Sequence, residues 1–332
     1  REVLHVGGTG RRRAHVPISM TYAAIPPALR HNPELADRYE PLLAAPHYDF
    51  GLREPSSKRG GLIAGMSMTE KQGGSDVRAN TTTATENADG SYTIVGHKWF
   101  TSAPMSDLFL TLAQTEHGPS CFLLPRVLPD GTRNRIHIQR LKDKLGNKSN
   151  ASSEIEYQGG ATGWLVGPEG RGVATIIEMV NMTRLDCVIG SSTGIRMATL
   201  RAVHHARHRK AFGALLIDQP LMRNVLADLV VESEAATTMM MRLAGATDRA
   251  TGDPQEAALR RIALAVTKYW VCKRAPVHAA EALEMSRRQR LRGGIGHAPP
   301  AVPGVAAHVD LGGSGNVAAL DALRAMIKQP DT

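Results

Sequence analysis

The apolar residues of this chain change their period near Gly170, and no other feature limits the available folds as much. Upstream, short apolar runs alternate with turn residues: Leu62-Ile63-Ala64-Gly65-Met66-Ser67-Met68, then 92–96, 108–112, 121–124 and 153–157. A period of two belongs to strands with one face on a core, and Asp89-Gly90 and Asp130-Gly131 are hairpin-turn dipeptides. Downstream, apolar residues recur three and four apart through 172–207, 220–246 and 254–284, and Pro254 suits the first turn of a helix. The expected class is α+β: an antiparallel β-barrel or sandwich at 61–168, followed by an antiparallel helical bundle at 169–332. Residues 16–60 read as helix and loop, punctuated by Pro17, Pro26, Pro27, Pro33, Pro41, Pro46 and Pro55, and offer too little for a domain of their own.

With 332 residues, 42% hydrophobic and 21% charged, the chain has enough apolar sequence for two or three domains and is not a disordered tail. Its three cysteines, Cys121, Cys187 and Cys272, have neither zinc spacing nor an even disulfide framework, which fits a reducing, cytoplasmic compartment. No apolar run reaches the ~20 residues of a membrane helix, so no membrane partner is expected. The start, Arg1-Glu2-Val3-Leu4-His5, is neither a signal peptide nor an initiator Met, and the chain is expected to be a fragment. The net charge of +9 suggests nucleic acid, but 1–15 and 285–312 supply +6 of it and the remainder is only mildly basic.

Three elements carry candidate chemistry. The loop Met68-Thr69-Glu70-Lys71-Gln72-Gly73-Gly74-Ser75-Asp76-Val77 ends a strand and gathers hydroxyls, amides and two glycines, a set able to bond the polar rim of a planar ring or a phosphate. It is neither a P-loop nor a dinucleotide fingerprint, and an ordinary barrel loop explains the same letters. The run Gly96-His97-Lys98-Trp99-Phe100-Thr101-Ser102 puts two aromatics and two hydroxyls at a strand end, as an isoalloxazine ring requires; a buried core pair is the alternative. One hairpin separates the two, which could bring them to one rim of a sheet. Third, Arg209, Phe212 and Gln219 could hold a dinucleotide, although a helix–turn–helix joint capped by Gly213 also fits. His204 and His208 lie on one helix face without a nearby acid, so they read as a solvated helix end and no metal is expected.

These letters, with Lys142-Asp143-Lys144-Leu145-Gly146-Asn147-Lys148-Ser149-Asn150-Ala151 and Met182-Thr183-Arg184, strongly resemble the acyl-CoA dehydrogenases, and within them the alkylation-response (AidB-like) branch. The resemblance covers 17–284 and 313–328. It implies a helical N-terminal domain, a β middle domain and a C-terminal four-helix bundle, with FAD between sheet and bundle. It also implies oxidation of an acyl-CoA thioester at Cα–Cβ. Met68, Thr69, Gly74, Ser75, Trp99, Phe100, Thr101, Ser102, Ser314 and Asn316 would then meet FAD, and Arg209, Phe212 and Gln219 would reach a neighbouring subunit's FAD in a homotetramer. DNA enters as a partner through the branch alone.

This sequence departs from the family in three ways. Most of the family's N-terminal helical domain is absent, and the chain stops before the branch's basic C-terminal region, so it reads as truncated at both ends. The family's catalytic Glu, which takes the α-proton, is replaced by Gly312, and a catalytically inactive flavin-binding or oligomerisation fragment becomes the alternative. Finally, 285–292 replaces the family's Cys-Leu-Gly-Gly-x-Gly-Tyr. One back-translation of that stretch, read one base later, restores Cys-Leu-Gly-Gly-Asn-Gly-Tyr, and the same frame restores family-like letters at 294–300 and 306–312. The segment from Met285 to about Gly312 is therefore expected to be an out-of-frame stretch between two compensating indels, and to be coil, with a divergent insert as the rival reading.

Overall fold

The computed structural model describes residues 15–24, 29–144, 146–285 and 315–328. They fall into two compact units, the first made of residues up to Lys144 together with 148–183, the second of 145–147 together with Arg184 onward. The segment 286–314, with the predicted out-of-frame stretch, Gly312 and Ser314, lies outside the described residues.

In the first unit nine strands make one sheet: β1 (Ala64–Thr69), β2 (Thr83–Glu86), β3 (Tyr92–Val95), β4 (His97–Ser102), β5 (Leu108–Thr115), β6 (Gly118–Pro125), β7 (His137–Leu141), β8 (Ser152–Glu156) and β9 (Ala161–Val166). Their order is β2-β3-β9-β6-β5-β1-β4-β8-β7. Thr83 of β2 also pairs with Gln114 of β5, so β2, β3, β9, β6 and β5 close a ring from which β1, β4, β8 and β7 extend. The sheet is mixed, since β1 and β2 each run parallel to β5 while the other ladders are antiparallel. Hydrophobic period sets the face a residue takes and carries no information on strand direction, so the antiparallel expectation missed these two pairings.

The period of two builds two cores from the same strands. Leu108, Leu110 and Leu112 of β5 and Cys121 and Leu123 of β6 face one way. There they meet Met20 and Ala23 of α1 (His15–Ala24), Leu35, Tyr39 and Leu43 of α2 (Pro33–Leu43), and Ile176 and Met179 at the start of α3 (Gly172–His208). Phe109 and Ala113, with Phe122 and Leu124, face the other way and fill the ring with Ile94, Ile155 and Tyr157. Strands β2, β7 and β9 were not legible in the sequence: β7 is exposed at all five positions and has no alternation to read.

The second unit is a helical bundle of the rest of α3, α4 (Pro220–Arg249), α5 (Pro254–Glu284) and α6 (Gly315–Lys328). Leu226, Leu229, Ser233, Ala236, Met240 and Leu243 recur three and four apart along the buried side of α4. They belong to a core rich in alanine, with Ala198, Ala202 and Ala206 of α3 and Ala275, Ala279 and Ala282 of α5. Asp253 caps α5, accepting from the amides of Gln255 at 2.9 Å and Glu256 at 3.3 Å, with Pro254 in the first turn as predicted.

Candidate functional site

The loop Met68–Val77 and the run Trp99–Ser102 meet on neighbouring strands. β1 and β4 pair antiparallel with Met66 opposite Ser102, Ser67 opposite Thr101 and Thr69 opposite Phe100, the register shifting between Ser67 and Thr69. The aromatic run is therefore the body of β4 and not a strand end, as the sequence had suggested. Trp99 is half-buried and Phe100 is 42% exposed, so they are not a core pair either. Met68 and Thr69 are half-buried, and Gly74 and Ser75 are exposed on the loop. Thr101 is fully buried with its hydroxyl 2.7 Å from that of Ser67, so its side chain is turned into the sheet and is committed there. The hydroxyls of Thr69, Ser75 and Ser102 make no hydrogen bond among the described residues.

Two side chains not singled out in the sequence hold this arrangement. Glu70 follows Thr69 and is fully buried; its Oε1 accepts from Lys98 Nζ at 2.8 Å and the Thr82 amide at 3.1 Å. Its Oε2 accepts from the amide and hydroxyl of Thr81 at 2.7 and 2.9 Å. Burial alone would raise the Glu70 carboxyl, but hydrogen bonds from Lys98 and Thr82 and the Lys98 charge outweigh it and hold it at about 2. Burial lowers the Lys98 ammonium to about 8 against the Glu70 hydrogen bond and charge, so both remain ionised near neutrality. Period gave no signal for Lys98, because the buried positions of β4, Lys98 and Thr101, lie three apart with the register to β8 shifting between them.

On the outer face, Lys142 Nζ lies 3.2 Å from the centre of the Trp99 ring, with Arg140 and Lys71 at 5.8 and 5.9 Å. Glu154 accepts from Lys142 at 2.7 Å and from Arg140 at 2.8 Å. Lys71, Arg140 and Glu154, with His97 and Glu156, line a cavity of about 220 Å³ beside Trp99.

In the second unit the expected joint between two helices is a miniature hairpin. After α3, Lys210–Ala211 pairs antiparallel with Ala214–Leu215 across the turn Phe212-Gly213. Both turn residues have positive φ, +53° and +82°, which makes this a tight hairpin turn of the primed kind and not a helix cap at Gly213. Phe212 is 99% exposed at its tip, Arg209 is exposed, and Gln219 Nε2 donates to the Ala211 carbonyl at 3.1 Å. Asn316 is the second residue of α6. The His208 ring bonds the His204 carbonyl at 2.7 Å, and both are exposed, as a solvated helix end requires.

A sheet with a partly closed ring, followed by a bundle of long helices, is the architecture of the acyl-CoA dehydrogenases. The chain belongs to that family: residues 65–159 match the acyl-CoA dehydrogenase middle domain and 170–286 the acyl-CoA dehydrogenase C-terminal domain. It is 47% identical over 318 residues to the putative acyl-CoA dehydrogenase AidB of Escherichia coli, a match covering 94% of this chain and 57% of that protein. The crystal structure of Caenorhabditis elegans ACDH-11 in complex with C11-CoA superposes with a TM-score of 0.83 at 28% identity, over 97% of this chain and 56% of that one. Butyryl-CoA dehydrogenase from Megasphaera elsdenii shares the fold, with a TM-score of 0.74 at 19% identity, over 98% of this chain and 80% of its own. The chain thus spans little more than half the length of the Escherichia coli relative. No helix among the described residues is long and apolar enough to cross a membrane.

Members of this family bind FAD, and the residues present suit a flavin. A planar ring needs an apolar wall and a few donors along its edge. Trp99 and Met68 are half-buried apolar side chains, and Thr69, Ser75 and Ser102 carry hydroxyls with no hydrogen bond among the described residues.

Proposed function

We propose that this chain carries the flavin-facing part of an FAD-dependent acyl-CoA dehydrogenase-like protein of the AidB-like branch, acting on an acyl-CoA thioester at Cα–Cβ. The observation that carries the reading is the β1–β4 register, which sets Thr69 directly opposite Phe100 and so puts the Met68–Val77 loop beside Trp99. In this reading Met68 and Trp99 wall the ring, while Thr69, Ser75 and Ser102 bond its polar edge. Gly74 lets the loop close on Thr69, since a β-carbon there would lie 2.9 Å from the Thr69 hydroxyl. Thr101 acts through its backbone, because its hydroxyl is held by Ser67. When bound, FAD supplies the acceptor for the hydride leaving Cβ.

The α-proton needs a positioned carboxylate, and the resemblance assigns that position to Gly312, a residue with no side chain to accept it. Losing a general base costs roughly 100- to 10,000-fold in rate. Arg209, Phe212 and Gln219 serve a neighbouring subunit's cofactor in a homo-oligomer, a role supported by the complete exposure of the Phe212 ring. Three buried cysteines that form no disulfide support a reducing, cytoplasmic setting. The DNA reading rests on the branch alone and gains nothing from the comparisons.

The test is titration of the purified chain with FAD, followed by flavin fluorescence and visible absorbance, then addition of acyl-CoA. Weak FAD binding that Trp99→Ala abolishes, with no reduction by the thioester, is the expected outcome. No binding at saturating FAD sinks the flavin reading, whereas thioester-dependent reduction refutes the assignment of the missing base to Gly312.

A further inference from the structure

Most of the stretch between β1 and β2, residues 70–82, faces solvent: Lys71, Gln72, Gly74, Ser75, Asp76 and Arg78 are all exposed, while Val77 packs on the first core. Gln114 Nε2 of β5 holds its Arg78 and Asn80 carbonyls at 2.8 and 3.1 Å, and its two ends are fixed by the Glu70 carboxylate. One oxygen joins Lys98 of β4 to the Thr82 amide, and the other takes the amide and hydroxyl of Thr81. Both ends of the excursion are therefore tied to one carboxylate, and that carboxylate to the residue preceding Trp99. A second, uncharged tie runs in parallel: Gln72 Nε2 donates to Asn80 Oδ1 at 2.7 Å, and Asn80 Nδ2 donates to the Met68 carbonyl at 2.9 Å. Both side chains of the Glu70–Lys98 pair are 0% exposed. A buried ion pair returns little net stability compared with apolar residues of the same volume, whereas its geometry is narrow.

We propose that Glu70 and Lys98 are positioning residues for the candidate site, the buried pair fixing the 70–82 excursion on β4 and so setting where Thr69 and Ser75 stand relative to Trp99. The proposal rests on the flavin reading above for the use made of that position. Neither side chain touches the ring in this scheme. Each acts through the loop that presents the hydroxyls.

The test uses the whole chain with Glu70→Gln and Lys98→Met together, which keeps volume and neutrality but leaves one acceptor oxygen for the donors that now share two. Thermal melting and far-ultraviolet circular dichroism should stay close to those of the unaltered chain. Trypsin should cut the folded double variant at Lys71 and Arg78 faster by about tenfold or more, because cleavage follows the population of the open loop. FAD affinity should fall by a similar factor. Should the double variant not fold, Glu70→Gln alone, in which Lys98 can shed its proton, replaces it; its melting temperature should fall, so cleavage and FAD affinity are read well below that temperature, with the same outcomes expected.

Unchanged cleavage with unchanged melting overturns the proposal, as does faster cleavage that leaves FAD affinity intact. The proteolysis is run without cofactor. If the unaltered chain takes up no FAD, the flavin reading falls, and the anchoring of the loop still stands or falls on cleavage alone.

Discussion

Helix α6 should depend on one carboxylate more than on its apolar face. Among its described residues the buried apolar side chains are Ala318, Ala322 and Ala325. Three methyl groups contribute about 2–3 kcal/mol when buried. Asp321, on the same face, accepts from Arg261 through both oxygens, at 2.7 and 3.1 Å, and from Arg184, whose side chain is 2% exposed. Removing one partner of such a buried network costs about 3–5 kcal/mol, which exceeds what the alanines supply. Asp321→Ala should therefore release α6 locally while α3, α4 and α5 stay folded around their own core. Hydrogen exchange read by mass spectrometry over 315–328 is the assay, and a loss of 3 kcal/mol corresponds to exchange faster by about a hundredfold. Asp321→Asn, which keeps volume and one acceptor, should fall between. Exchange in α6 within about threefold of the unaltered chain would refute the reasoning and return the anchoring to the alanine contacts.

Acid should weaken the fold through Glu70. Its folded value of about 2 lies below the ordinary 4.5, so its contribution is full above pH 4.5 and is lost as pH falls towards 2. That loss is on the order of 3 kcal/mol, and Asp321, lowered by Arg261 and Arg184 against its burial, adds in the same direction. Urea titrations between pH 5 and pH 2.5 check it, and Glu70→Gln should flatten the dependence. Gly96→Ala should destabilise by about 2–4 kcal/mol in a melting experiment. The residue has φ +145°, and a β-carbon would sit 2.7 Å from the Thr82 backbone. Phe212→Gly should raise stability by about 0.5–1 kcal/mol, since a 99% exposed ring has no packing to lose and glycine relieves its positive φ. A lower melting temperature would mean that the Phe212 ring stabilises the folded chain.

The sequence by itself determined the order of the parts. Period two before Gly170 and a helical period after it follow from which residues must leave water. That requirement is local enough to read for Leu108 to Leu112 and for the helices beginning at Gly172, Pro220 and Pro254. The candidate side chains were legible as letters too, because Thr69, Ser75 and Trp99 fall in motifs with a family likeness. Only the tertiary structure decided that β1 lies between β4 and β5, one neighbour antiparallel and the other parallel. It also decided that Thr101 turns inward to Ser67 and that Phe212-Gly213 is a hairpin tip instead of a helix cap. The Glu70–Lys98 pair, 28 residues apart in sequence, belongs with these. Hydrophobic period is a property of one segment against solvent, whereas pairing, strand direction and the partner of a buried charge are properties of two segments, and their energies exist only once both are in place.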